Sequence, residues 1–364
     1  MRRPALLLLL LLPLLPALLA GCGISAARIQ EDLRTGASQG AYVPGVPFEP
    51  QRKGFCGPAA LSSVLGYWGK PASQEAIGKE IYSPALKGTL GFLLWCHARR
   101  AGLASLELQG LDPDALDAFL RQGIPVILNL DLGLGMTSAQ HYVLVVGHDR
   151  GRALWVLQDG KRPDRVAQDA WLMDRWKGTG RWALAAFPPD KALADLPAEV
   201  LCQAAKRCED LGHPETAAGH LKQAEARGSQ DARLCLEIAL LYKHLGLPDA
   251  TERAYRRIIQ IAPDGPDAYN NLATLLLEAG RLDEAEPLAR QAAERCAKDP
   301  QTGARRLPYV MDTLGLVLQK QGKTPEALEA FEAALKAAPP EGALAKEIRA
   351  HRDAIMTPPT TGGT

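Results

Sequence analysis

Gln51-Arg-Lys-Gly-Phe-Cys56-Gly57-Pro58-Ala59-Ala60-Leu61-Ser62-Ser63-Val64-Leu65-Gly66-Tyr67 is the stretch that decides how the first half of the chain folds. Ala60, Leu61, Val64 and Leu65 recur at helical spacing, which places the Gly-flanked Cys56 at the N-terminal end of a helix. Pro58 is at home there, because its missing N–H is one the first turn would leave unpaired anyway. A thiol at this place meets free N–H groups and the positive end of the helix dipole, and both favour the thiolate. The same donors, with the Gln51 carboxamide, suit an oxyanion formed during acyl transfer. One short stretch offers a nucleophile and a place for the charge it creates.

A lone cysteine in an apolar helix more often packs than reacts, so the reactive reading needs a base. His141 opens the strand-like run His-Tyr-Val-Leu-Val-Val-Gly-His-Asp, and Asp159 follows a second one, Ala-Leu-Trp-Val-Leu-Gln. The two residues are 18 apart, a distance that fits adjacent antiparallel strands joined by the turn at 148–152. In such a hairpin the Asp159 carboxylate would reach one imidazole nitrogen while the other faces Cys56.

Gln51, then Cys56-Gly-Pro-Ala-Ala-Leu61, then His141-Tyr-Val, then Asp159 together resemble the papain-like bacteriocin-processing peptidases, the double-glycine leader peptidase group. The resemblance spans roughly residues 46–188. It implies an α+β papain-like cysteine peptidase domain, here bounded at 46–190. It also implies Cys56 as nucleophile, His141 as general base and acid, Asp159 as orienter and Gln51 as oxyanion donor. The family usually has proline after the acidic residue, whereas this chain has Gly160, and Asp149 is a second candidate carboxylate. In that group the domain precedes a membrane exporter. Nothing in this chain resembles one, so double-glycine specificity is not carried over.

Around this stretch the coarse pattern is helices first and an antiparallel sheet afterwards, with the site where they meet. Ser73 caps a second helix, and 89–101 forms a third with Leu90, Leu93, Leu94 and His97 on one stripe. Cys96 and His97 are neighbours there, but adjacent helix residues point about 100° apart and cannot jointly grip a ligand. Strands are expected at 103–108 and 124–130, with a helix at 113–122 between them. The glycine-containing loop 133–138, just before His141, is a candidate rim for substrate. Trp171, Trp176 and Trp182 read as packing aromatics.

The 364 residues suffice for two ordinary domains with tails. A formal charge of +1 argues against a nucleic-acid partner, and 47% hydrophobic with 23% charged residues is ordinary globular composition. Seven cysteines without any Cys-x2-Cys pair make neither a disulfide scaffold nor a zinc pattern, so no metal or cofactor is expected. Arg2 and Arg3 precede a leucine-rich run broken by Pro13 and Pro16, too short for a comfortable membrane span, which reads as a signal peptide over 1–21. Leu19-Ala-Gly-Cys22 resembles a bacterial lipobox. That resemblance implies cleavage before Cys22, diacylation of its thiol, and attachment to a membrane without crossing it. Gly23, where aspartate would signal inner-membrane retention, implies an outer-membrane location facing the periplasm. Residues 22–45 read as a tether.

From Leu196 on, alanine, leucine and charged residues dominate. Gly212, Gly246 and Gly280 recur every 34 residues, the tetratricopeptide period, and Gly322 follows after 42, as though eight residues were inserted near 298–306. Ala217, Thr251, Ala285 and Ala327 hold the small position five residues later; Tyr255 and Phe331 hold an aromatic position nine later, where Leu221 and Ala289 stand in the other repeats. The pattern resembles about four tetratricopeptide repeats over 197–340, an all-α solenoid whose groove takes a peptide or a protein partner. Cys202, Cys208, Cys235 and Cys296 predict no specific bridge, and the tail 356–364 is expected to be disordered.

Three functions compete. The first is a membrane-anchored periplasmic cysteine peptidase whose repeats recruit a protein substrate. The second is a retired adaptor working through its repeats, against which the intact Gln51, Cys56, His141 and Asp159 argue. The third is a papain-like amidase acting on cell wall, which the same chemistry permits.

Overall fold

A computed structural model describes residues 24–133, 139–228, 230–298 and 300–356. The expected signal peptide, Cys22, most of the 133–138 loop and the tail beyond Met356 lie outside the described residues. The chain divides between Leu196 and Pro197 into two compact units.

The first unit contains, in order, α1 (Ala26–Thr35), β1 (Gly40–Tyr42), α2 (Cys56–Tyr67), α3 (Gln74–Ile81), α4 (Gly91–Arg100), β2 (Ala104–Leu108) and α5 (Pro113–Arg121). Then follow β3 (Val126–Asp131), β4 (Gln140–Asp149), β5 (Leu154–Gln158), β6 (Arg165–Gln168), α6 (Asp169–Lys177) and β7 (Ala183–Phe187). The strands make one antiparallel sheet in the order β2-β7-β3-β4-β5-β6. β4 is its longest member. One edge of β4 pairs with β3 through residues 140–145 and then with β1 through 147–149, while the other edge pairs with β5.

Helix α2 explains why the sheet can bear a site. Every residue from Gly57 to Leu65 is buried, so the helix is apolar almost all round and lies inside the fold. Leu61, Val64 and Leu65 pack with Tyr142, Leu144 and Val146 of β4, and Leu94 and Ala98 of α4 close the other side. The N-terminus of α2 is thereby pressed toward the start of β4. Trp176 and Trp182 belong to the core: the Trp176 indole donates to the Trp182 carbonyl at 2.8 Å, and the Trp182 indole to Glu107 at 2.8 Å.

The expected tether is corrected over its described part, because residues 24–43 are folded. Ser25 caps α1 by accepting from the Arg28 N–H at 3.2 Å, Ile29 is fully buried, and β1 joins the sheet. Asp32 is 2% exposed and meets Arg152 at 2.6 Å, and Arg152 also holds Asp149 at 2.6 Å. A stripe of only Ala26, Ile29 and Leu33 is too short to announce a helix, and its arginine partner lies 120 residues away in sequence.

The second unit is helical throughout its described residues: α7 (Ala198–Asp210), α8 (Pro214–Arg227), α9 (Ala232–His244), α10 (Pro248–Ile261), α11 (Pro266–Glu278), α12 (Leu282–Lys298), α13 (Pro300–Lys320), α14 (Thr324–Ala337) and α15 (Ala343–Met356). Gly212, Gly246, Gly280 and Gly322 adopt φ of +83°, +68°, +72° and +77°, the left-handed turn that joins the two helices of each pair. Ala217, Thr251, Ala285 and Ala327 are fully buried, as close helix packing requires. The additional residues of the third and fourth pairs extend α12 and α13 to 17 and 21 residues.

Ile29 gives a direct measure of the folded N-terminal segment. Ile29→Ala is expected to destabilise the first unit by about 2–5 kcal/mol, the range for a buried large-to-small change. Thermal denaturation checks this, and a shift below about 0.5 kcal/mol, normal for an exposed position, would return the segment to a tether.

Candidate active site

Cys56 is the first residue of α2, and no side chain caps this helix end. Its sulfur therefore stands among first-turn N–H groups that lack intrahelical acceptors. The His141 ring and the backbone N–H groups of Tyr142 and Gly57 stand beside it and favour its charged form. Burial by itself would raise the Cys56 pKa, but these neighbours and the charge of His141 outweigh it, and the thiol ends below its ordinary value. His141 moves the opposite way. Burial pulls it down, while the neighbouring Cys56 thiol, the Asp159 carbonyl and the charges of both residues raise it above the ordinary imidazole value. A depressed thiol beside an elevated imidazole favours the thiolate–imidazolium pair.

The elements bring Cys56 and His141 together by simple packing. Residue 141 pairs with Leu130 near the start of β4, and the next residue, Tyr142, is wedged against α2. The Tyr142 ring contacts Trp182 edge-on at 5.4 Å, and its hydroxyl donates to the Thr89 carbonyl at 3.2 Å, which fixes the strand beside the helix end.

Asp159 is in the site, but its carboxylate does not orient the base. His141 Nε2 donates to the backbone carbonyl of Asp159 at 3.1 Å. A carbonyl only accepts, so this bond places a proton on Nε2 and leaves Nδ1 for the thiol. The carboxylate turns the other way: Oδ1 accepts from the Lys161 and Arg162 N–H groups at 3.0 and 2.7 Å, and Oδ2 meets Arg162 at 3.3 Å and Arg165 at 3.6 Å. Burial would raise its pKa, but the N–H groups of Arg162 and Lys161 and the Arg162 guanidinium carry it below the ordinary range. The carboxylate thus closes the turn after β5, and the turn presents the carbonyl. Asp149, the second candidate, lies at the far end of β4 held by Ser38 and Arg152.

Gln51 is brought alongside. Its backbone N–H donates to the Gly160 carbonyl at 2.8 Å, and its side chain lies against Gly160, which lines the same cleft as Cys56. Cys96 and His97 form no joint site, since His97 Nδ1 pairs with Glu80 at 3.1 Å. No group of side chains suited to a metal occurs among the described residues.

Gln74 went unnoticed in the sequence. Only 3% exposed, its carboxamide donates to Glu49 and to the Pro50 carbonyl, both at 2.9 Å, and accepts from the Arg52 N–H at 2.8 Å. It pins the segment that carries Gln51. Its one sequence signal is its place directly after the Ser73 cap, which says nothing about what the amide reaches.

The model of the Peptidase_C39 like family matches residues 43–184, and two tetratricopeptide-repeat models match 232–264 and 266–339. Among solved structures, the chain is similar to a C39-like peptidase from Bacillus anthracis, at 16% identity over 43% of this chain and 100% of that one, with a TM-score of 0.36. It is similar to the peptidase domain of Streptococcus ComA, a bifunctional ABC transporter of quorum sensing, at 21% identity over 39% of this chain and 98% of that one, with a TM-score of 0.33. It is also similar to pilF of Pseudomonas aeruginosa, at 19% identity over 44% and 67%, with a TM-score of 0.35. No curated protein matches. The helix pair α7–α8 precedes the matched repeats and shares their turn glycine and buried small residue. The chain joins a Peptidase_C39-like α+β domain to a helical region of tetratricopeptide repeats.

Proposed function

We propose that the protein is a membrane-anchored periplasmic cysteine peptidase that hydrolyses peptide bonds through Cys56 and His141, its repeats recruiting a protein substrate. The observation that supports this reading most is the Cys56 sulfur at a helix N-terminus beside the His141 ring, with the imidazole turned by a main-chain acceptor. The anchor rests on the lipobox-like Leu19-Ala-Gly-Cys22 alone.

In the first step the Cys56 thiolate attacks the peptide carbonyl carbon, a C–S bond forms, and the carbonyl π electrons move onto oxygen. The Cys56 N–H, which has no acceptor within its helix, and the Gln51 amide nitrogen receive that oxyanion. As the tetrahedral centre collapses, the C–N bond breaks and the imidazolium passes its Nδ1 proton to the leaving amine. Water then attacks the thioester, His141 takes a proton from it, and the acid departs as the thiolate–imidazolium pair is restored. Asp159 acts through its carbonyl, which steadies the ring, and its carboxylate is a positioning group for the turn. A repeat groove that holds the substrate raises its local concentration at the cleft.

Cys56 is expected to react with iodoacetamide at pH 6 at least about tenfold faster than Cys96, because its thiol is held below its ordinary value and the thiolate is the reacting form. Cys202, whose thiol burial pushes up to about 12, is expected to stay unlabelled. The sign of both shifts fixes the pH profile of kcat/KM. Activity rises with Cys56 ionisation at a pH below about 8.5 and falls with loss of the His141 proton at a pH above about 6.5. Equal labelling of Cys56 and Cys96 would sink the activated thiolate.

Asp159→Asn retains an oxygen for the Lys161 and Arg162 N–H groups and is expected to lower kcat/KM less than about tenfold. Asp159→Ala frees the turn and is expected to lower it by more. A loss near 10⁴ for the asparagine variant, the size seen when a carboxylate contacts the catalytic imidazole directly, would show that the carboxylate faces the ring in solution. In cells, mass spectrometry of periplasmic protein termini should show ends present in wild type and missing in Cys56→Ser. Release of amino groups from purified cell wall but not from polypeptide would replace the peptidase with an amidase.

A further inference from the structure

Two consecutive carbonyls hold the two working arms of the site. The Asp159 carbonyl accepts from His141 Nε2 at 3.1 Å, and the Gly160 carbonyl accepts from the Gln51 N–H at 2.8 Å. Gly160 has φ +78°, a backbone that proline, locked near −65°, cannot adopt. A β-carbon at residue 160 would stand 2.0 Å from Gln51 Oε1, 2.6 Å from its Cδ and 2.9 Å from its Cγ. The Gln51 side chain therefore occupies the space that any other residue at 160 would need. Its Oε1, the atom nearest Gly160, is buried and has no hydrogen-bond partner among the described residues, so the amide nitrogen is the end turned away from the turn.

We propose that Gly160 is a positioning residue for the oxyanion donor: by lacking a side chain it lets the Gln51 carboxamide lie against the turn that also holds the catalytic imidazole. This rests on the peptidase reading. The same turn then sets the base through residue 159 and the oxyanion arm through residue 160, so both arms keep one register relative to Cys56. The atoms that a β-carbon would displace are the far end of a flexible side chain. Substitution at 160 accordingly moves Gln51 and leaves the fold in place.

The test uses the purified full chain with labelled casein as substrate and iodoacetamide as a probe of the thiolate. Alkylation displaces iodide and makes no oxyanion, whereas hydrolysis does. Gly160→Ala is compared with Gly45→Ala, which has φ +77° and nothing within 4 Å of the added carbon, so it carries the same backbone strain without the collision. Gly160→Ala is expected to match Gly45→Ala in thermal midpoint and to keep Cys56 alkylation within about twofold. Its kcat is expected to fall about 10²- to 10³-fold, as Gln51→Ala does, and the double variant Gln51→Ala/Gly160→Ala is expected to be no slower than Gln51→Ala. Turnover by Gly160→Ala equal to that of Gly45→Ala would overturn the assignment while leaving the peptidase reading intact. Loss of alkylation together with turnover would overturn it too, since the turn would then serve the imidazole and not the amide. Wild-type protein that is alkylated normally but cleaves no polypeptide would sink the peptidase reading, and this one with it.

Discussion

A hydrogen bond from His141 Nε2 to the main-chain carbonyl of Asp159 is the constraint on which the site depends. Because that acceptor cannot donate, it sets the tautomer of the ring and leaves Nδ1 free for the Cys56 sulfur. A carboxylate in the same place would give stronger stabilisation of the imidazolium, but it could also rotate. A carbonyl is fixed by the backbone, and this backbone is fixed by a turn whose own N–H groups are taken up by the Asp159 side chain. The charge at Asp159 is partly balanced by Arg162 and Arg165, and what remains adds to the carbonyl in favouring the imidazolium.

Cysteine in this chain shows how far environment outweighs residue type. Cys56 and Cys202 both lie largely out of water, and burial alone would raise either thiol. At Cys56 the sulfur meets an imidazole and two backbone N–H groups at an uncapped helix end, and the balance tips toward the thiolate. At Cys202 burial prevails, with nearby acidic groups adding to it, and the thiol is pushed up to about 12. One thiol is drawn toward its charged form, and the other is a small apolar filler.

The two units rest on different kinds of contact. In the helical unit each pair is closed by a left-handed glycine and a buried small residue at a fixed offset, so the structural rule is written within some 34 residues and repeats. The first unit is assembled from distant partners. Arg152 reaches Asp32 in α1, Gln51 reaches Gly160, and the end of α2 reaches the beginning of β4. Its site exists only when the whole sheet has formed.

Much was legible in the sequence for that reason. The helical spacing after Cys56, the alternating runs around His141 and the glycine period of the repeats are local patterns, and local patterns give the α+β domain followed by the helical array. Residues 24–43 were not legible as folded, because three apolar residues make no visible stripe and their ion partners lie far along the chain. The direction of the Asp159 carboxylate was also beyond the sequence, which contains the residue but not its torsion angles. By itself the sequence determined which chemical groups are present and the period at which helices and strands recur, since both are properties of neighbouring residues. Only the tertiary structure decided that Asp159 offers its carbonyl and not its carboxylate, and that Gly160 makes room for Gln51. The first outcome depends on how the turn after β5 folds back over a strand 18 residues earlier, and the second on two backbone segments more than a hundred residues apart in sequence meeting in space.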